Sequence, residues 1–165
     1  LSANERDAKL DKLFMELKNN ITSSSPMIAQ QIWTLWSTHP TDEKLTSILD
    51  EGSRLVQDRQ LARAINIFTE VIKLDPTWAE AWNKRATVFY MVGEFKRSQD
   101  DIDKVLELEK RHFGALAGQG MVNIQLKNYD KAKRSYQKVQ EIYPAMKSPK
   151  VMIEQIEELI KRQSI

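Results

Sequence analysis

The feature that most constrains this chain is a repeat. Sliding the sequence by 34 residues brings Leu45–Trp78, Ala79–His112 and Phe113–Met146 into register without an insertion. Small residues recur at the eighth position (Gly52, Ala86, Gly120) and at the twentieth (Ala64, Ser98, Ala132). Large ones recur at the fourth (Ile48, Trp82, Leu116), seventeenth (Leu61, Phe95, Tyr129), twenty-fourth (Phe68, Ile102, Tyr136) and twenty-seventh (Val71, Val105, Val139). A unit of this length cannot bury its apolar face alone, so consecutive copies must stack. Each copy reads as two helices, with turns near Asp58–Arg59, Gly93–Glu94 and Lys127–Asn128. The small positions let the two helices approach, and the large ones fill the space between them and the next copy. Five Gly and five Pro in 165 residues leave few other places to break a helix.

On these residues the three segments resemble tetratricopeptide repeats, whose period is 34 and whose signature is W-x2-L-G-x2-Y, then A-x3-F, A and P. The second copy matches through Trp82, Ala86, Phe89, Gly93 and Phe95, and the third through Gly120, Tyr129, Ala132, Tyr136 and Pro144. The first matches through Gly52, Leu55, Ala64, Phe68 and Pro76. The likeness covers 102 residues and departs at Lys110, where the pattern has Pro. It implies an all-α fold, an α-solenoid of three stacked helix pairs (45–78, 79–112, 113–146).

Flanking segments complete the stack, since the ends of a solenoid must cover its apolar faces. Residues 1–40 read as an N-terminal helical pair packing on the array. One helix spans about 4–18 with Leu10, Leu13, Phe14 and Leu17 on one face, and the other runs from Ser25–Pro26 to Trp36. Thr41 is the expected cap of the first repeat helix. Residues 148–165 read as a capping helix with Ser148 at its N-cap and a stripe of Val151, Met152, Ile156, Leu159 and Ile160. Of the four Trp, Trp82 holds a core position and Trp78 a repeat junction, and Trp33 is the candidate exposed anchor.

Catalytic chemistry finds no constellation. His39 and His112 are far apart and in no metal-spaced pair, and there is no Cys. Gly114, Gly118 and Gly120 imitate a phosphate loop, but they fall inside a helix and Gly120 has a packing role. No catalytic residue, metal or cofactor is expected. A net charge of +2 gives no argument for nucleic acid, and no apolar run approaches the roughly 20 residues of a membrane span. Residues 127–150 carry seven Lys/Arg against two Asp/Glu, which reads first as a solvated face, with an acidic partner as the lesser reading. The seventh position holds Glu51, Arg85 and Gln119; buried charges need partners, so a network joining Arg85 to Glu51 or Asp101 is expected.

Stacked helix pairs present a concave surface built from their first helices. In this register it is lined by Leu49, Ser53 and Val56, then Asn83, Thr87, Tyr90 and Met91, then Ala117, Met121, Ile124 and Gln125. The resemblance implies that a peptide or partner protein binds there. One subset of the family clamps an acidic C-terminal carboxylate with Lys and Asn; Leu49, Ser53, Gly114 and Gly118 stand here instead and cannot do so. The alternatives are a groove filled by the chain's own terminal helices, or a homodimer through them. The start at Leu1, the absence of Cys and a looser likeness to short exported bacterial proteins lead to an expected periplasmic or otherwise exported location, with the cytoplasm as the alternative.

Overall fold

A computed structural model describes residues 1–20 and 23–164. Among these the chain forms helices and no strands: α1 (Ala3–Asn19), α2 (Ser25–Ser37), α3 (Glu43–Gln57), α4 (Leu61–Leu74), α5 (Ala79–Met91), α6 (Phe95–Leu108), α7 (Phe113–Gln125), α8 (Tyr129–Ile142) and α9 (Ser148–Gln163). The period survives to the residue: α5 and α7 start 34 apart, as do α4, α6 and α8. Only α3 begins early, because Asp42 caps it by accepting from the backbone N–H of Lys44. Thr41, the cap expected from sequence, lies one residue outside. Similarly, α9 takes in Ser148, and Lys147 stands at its N-cap with no side-chain bond.

Each repeat is locked by the same interdigitation. A Cβ on Gly52 would collide with the ring of Phe68, and one on Gly120 with the ring of Tyr136. In the middle repeat the partner is the slimmer Ile102, and Ala86 fits beneath it. Position eight is thus sized to position twenty-four. The twentieth-position residues Ala64, Ser98 and Ala132 are all buried beside them. Burial drives the Tyr136 phenol up to about 12.

The turns also repeat. Arg59, Gly93 and Lys127, 34 apart, all have positive φ (61°, 80° and 62°). In each, the following N–H reaches back to close the helix: Gln60 to Leu55 O, Glu94 to Phe89 O and Asn128 to Asn123 O, at 2.8–2.9 Å. This left-handed closure costs a residue with a Cβ about 1 kcal/mol and glycine almost nothing.

Consecutive first helices approach one another (α3 with α5, α5 with α7), so the stack curves with these helices inside. At the C-terminal end α9 packs on α8 through Ile156, Met152, Ile153 and Ile160. Val151, expected in that stripe, is 51% exposed, and Ile153 takes its place. The N-terminal pair does not lead the stack ahead of α3. It folds back, α2 against α5 and α1 against α8, and shares one core with Phe113, Leu116 and Val139. Arg111 pins it from the array side, 2.8 Å from Asp11 and over the ring of Phe14.

Arg59→Gly and Lys127→Gly should each raise unfolding stability by about 0.5–1 kcal/mol, and Gly93→Ala should lower it by about 1, as read from chemical denaturation.

Candidate partner-binding groove

The concave face is divided rather than continuous. Trp33, on α2, reaches across it and seats its indole on Gly114, where a Cβ would overlap the ring. Trp33 also meets the rings of His112 and Phe113 edge-on, at 5.3 and 5.6 Å. The candidate exposed anchor is therefore half-buried within the chain's own groove. Beneath it Trp36 stacks flat on His112 at 3.9 Å. The Trp36 Nε1 is buried and unpaired among the described residues, while its carbonyl accepts from Trp78 Nε1 at 2.9 Å.

His112 is the hinge of this contact and is fully buried. Its Nδ1 accepts from the N–H of Ala115, capping α7, so the proton sits on Nε2 and is donated to Glu80 Oε1 at 3.2 Å. Glu80, equally buried, also accepts from Asn83 Nδ2 at 2.9 Å and from Ser37 Oγ at 3.4 Å. His39 repeats the pattern: Nδ1 accepts from Thr41 and Asp42, and Nε2 donates to Asp75 Oδ2 at 2.6 Å. Burial raises the Asp75 carboxyl, but the bonds from Thr77 and His39 outweigh it and hold the group below its usual range. Both imidazoles are thus bound at both nitrogens, in structural roles.

Of the expected groove residues, two are taken up elsewhere. Leu49 is 1% exposed and belongs to the core under Phe68, because α3 turns its fifth position toward α4 and α5. Asn83 is 9% exposed and held by Glu80. Ser53, Val56, Thr87, Tyr90, Met91, Ala117, Met121, Ile124 and Gln125 keep accessible surface. Met91 and Met121 are 37% and 40% exposed. Two clefts open among them. One, between α3 and α5, has about 330 Å³ and is lined by Ser53, Val56, Lys84, Thr87 and the flank of Trp33. The other, between α5 and α7, has about 80 Å³ and is lined by Tyr90, Ile102, Gly118 and Met121. Thr87 borders both, so they adjoin. Gly118 forms the floor of the smaller cleft; a Cβ there meets only Ile102 Cδ1, at an ordinary 3.7 Å.

Of the two partners expected for Arg85, the structure pairs it with Asp101. Arg85 makes a bidentate pair with Asp101 at 2.8 and 2.9 Å, and its third bond goes to Thr69 Oγ1 at 3.2 Å. Burial pushes the Asp101 carboxyl up, and Arg85 offsets this only in part. Glu51 is exposed and outside the network; its seventh position lies on the free side of the first repeat, with no preceding repeat against it. Gln119 forms a separate polar seam, with Gln99 at 2.9 Å and Ser135 at 2.8 Å.

A tetratricopeptide-repeat family model matches residues 114–146, and the same helix-pair geometry recurs twice before it at the 34-residue step. Residues 114–146 thus carry a tetratricopeptide repeat. It is similar to a TPR repeat-containing protein of Rhizobium etli, 28% identical over 151 residues, which cover 91% of this chain and 74% of the relative. Sperm-associated antigen 1 of Homo sapiens is 26% identical over 121 residues, but the match spans only 13% of that protein. Among solved structures, the first TPR of Spaghetti (RPAP3) bound to the HSP90 peptide SRMEEVD superposes with a TM-score of 0.70 at 18% identity, covering 72% of this chain and 94% of that one. MamA superposes at 0.67 and 19%, covering 83% and 84%. At these identities the structures establish the TPR fold.

The Glu80–His112–Trp36 node and the seating of Trp33 were not visible in the sequence. The one signal for them was Gly114, a glycine with no role in the TPR register, and that residue receives Trp33.

Two contrasts follow. Asp101→Ala strands a mostly buried Arg85 and should cost about 3 kcal/mol, while Glu51→Ala should stay within about 0.5, by urea unfolding. Gly114→Ala must expel Trp33 and should cost about 1–3 kcal/mol with a shift in tryptophan emission, whereas Gly118→Ala should be neutral or stabilising by up to about 1.

Proposed function

We propose that this chain is a protein–protein interaction module that binds a peptide or partner protein in the open part of its concave groove. The observation that carries this reading is the pair of adjoining clefts bordered by Thr87, with half-buried Tyr90 and exposed Met91 and Met121 around them on the inner face. Apolar walls with a few polar groups suit a segment whose side chains enter pockets while its backbone bonds to Ser53, Thr87 or Gln125. Methionine adapts to irregular partners.

The chain's own helices take the remainder. Trp33 covers Gly114, and Asn83 and Glu80 satisfy one another beneath it. The first TPR of Spaghetti (RPAP3) binds the acidic HSP90 peptide SRMEEVD; a clamp for such a tail is not our reading of this chain. Leu49 is buried, and Ser53, Gly114 and Gly118 offer no cation. Nor do we assign a reaction, because both His rings are bound at each nitrogen. The periplasmic or otherwise exported location is kept as a proposal, with the cytoplasm as the alternative, to be read from fractionation of the native cells.

The reading is tested by affinity capture from those cells with mass spectrometry, followed by affinity measurement on the purified partner. Tyr90→Ala combined with Met121→Ala should weaken that affinity at least tenfold at unchanged melting temperature. Undiminished affinity would count against the groove.

A further inference from the structure

The outer face of the third repeat carries a charge pattern that the stack does not require. Lys131, Arg134 and Lys138 follow one another at steps of three and four residues, which places them in single file along α8, and Lys127 stands in the turn just before it. The same register positions hold Arg59, Arg63, Asn66 and Glu70 in the first repeat, and Gly93, Arg97, Asp100 and Lys104 in the second. Only the third is uniformly basic, so the repeat architecture does not impose it. Like charges at this spacing repel and destabilise the helix that carries them. Among the described residues Lys127, Lys131 and Arg134 enter no ion pair, and Lys138 has only an exposed one, 3.8 Å from Glu141. Lys133, off the file, is by contrast paired with Glu157 of α9.

The file lies between two shallow clefts. One, of about 370 Å³, runs toward Tyr129 and Ile160, and the other, of about 500 Å³, toward Leu116 and Gln119; Lys131 and Arg134 border both. From Lys131 to Lys138 is about 10 Å of helical rise, and Lys127 lengthens the row from the turn before α8. Alternate side chains of an extended peptide repeat about every 6.6–6.8 Å, so three acidic residues spaced by two would span about 13 Å and face the file. Asp130 precedes the file and Glu141 follows it along the chain, and Glu157 on α9 is held to one side by Lys133. A long polyanion or a flat anionic surface would run onto these carboxylates, while a short segment stays between them.

We propose that the outer face of α8 is a second docking site, and that its occupant is a short, extended acidic segment of a partner protein. It is opposite in chemistry to the neutral inner groove and does not rest on the groove reading. One chain would thus hold two different segments, an apolar one inside and an acidic one outside.

The test uses a fluorescein-labelled octapeptide of alternating Glu and Ser, with a Gln–Ser peptide as control, titrated by fluorescence anisotropy. Saturable binding of the acidic peptide alone is expected, weakened several-fold between 50 and 300 mM salt as screening takes hold. Lys131→Glu combined with Arg134→Glu should weaken it at least tenfold, and Tyr90→Ala with Met121→Ala should leave it unchanged. Lys131→Gln with Arg134→Gln carries the same test where the reversal does not fold by circular dichroism. Undiminished binding to either α8 variant, or no saturable binding by the wild type, overturns the proposal. So does equal or tighter binding of an oligothymidylate of the same charge or of phosphatidylserine vesicles. Self-association of the wild type that the α8 variants abolish would replace the acidic segment with a second copy and overturn it too.

Discussion

Everything in this molecule depends on how closely the two helices of a repeat can approach. That distance is set at one contact, between the eighth and twenty-fourth positions. Where the twenty-fourth residue is a ring, Phe68 or Tyr136, the eighth has no side chain at all; where it is Ile102, the eighth is alanine. Interiors packed to crystal-like density do not absorb a misplaced methyl group. The volume is therefore held constant across the contact, and the helix pairs keep one spacing. Equal spacing makes the turns equivalent, which is why three residues of such different character as Arg59, Gly93 and Lys127 share one backbone conformation.

The N-terminal pair turns a generic stack into a particular one. Left alone, the inner face would run unbroken over α3, α5 and α7. Trp33 interrupts it, and Trp36 on His112 holds the interruption in place. The buried Glu80 makes the arrangement specific. A carboxylate removed from water needs donors, and these come from three places: Asn83 on its own helix, His112 at the N-cap of α7 and Ser37 on α2. An N-terminal pair shifted along the array would leave that group unsatisfied.

What the sequence made legible follows from what is periodic in it. Helix pairs, turns and the packing positions repeat, so each of the three copies checks the others. The Arg85–Asp101 pair was within reach of the same reasoning, because it joins two helices of one repeat. The errors lie where periodicity stops. Glu51 shares its register with Arg85 but has no preceding repeat against it. Leu49 and Asn83 share the fifth position with the half-buried Ala117, yet one faces the core and the other is claimed by Glu80. The site of the N-terminal pair depends on contacts between residues about 100 apart, such as Asp11 with Arg111, and no local pattern encodes those. Gly114 alone left a trace, as a glycine without a reason inside its own repeat.

That folding back changes how the molecule must assemble. A simple solenoid can grow from one end, each copy settling on its neighbour as it appears. Here α1 and α2, which precede the repeats in the chain, close their core against Phe113, Leu116 and Val139. Until the third repeat has emerged, the part of α1 and α2 that meets Phe113, Leu116 and Val139 has nothing to cover it. Segments made before the repeats are thus among the last to find their place, and α1 and α2 tie the middle of the stack to its third repeat.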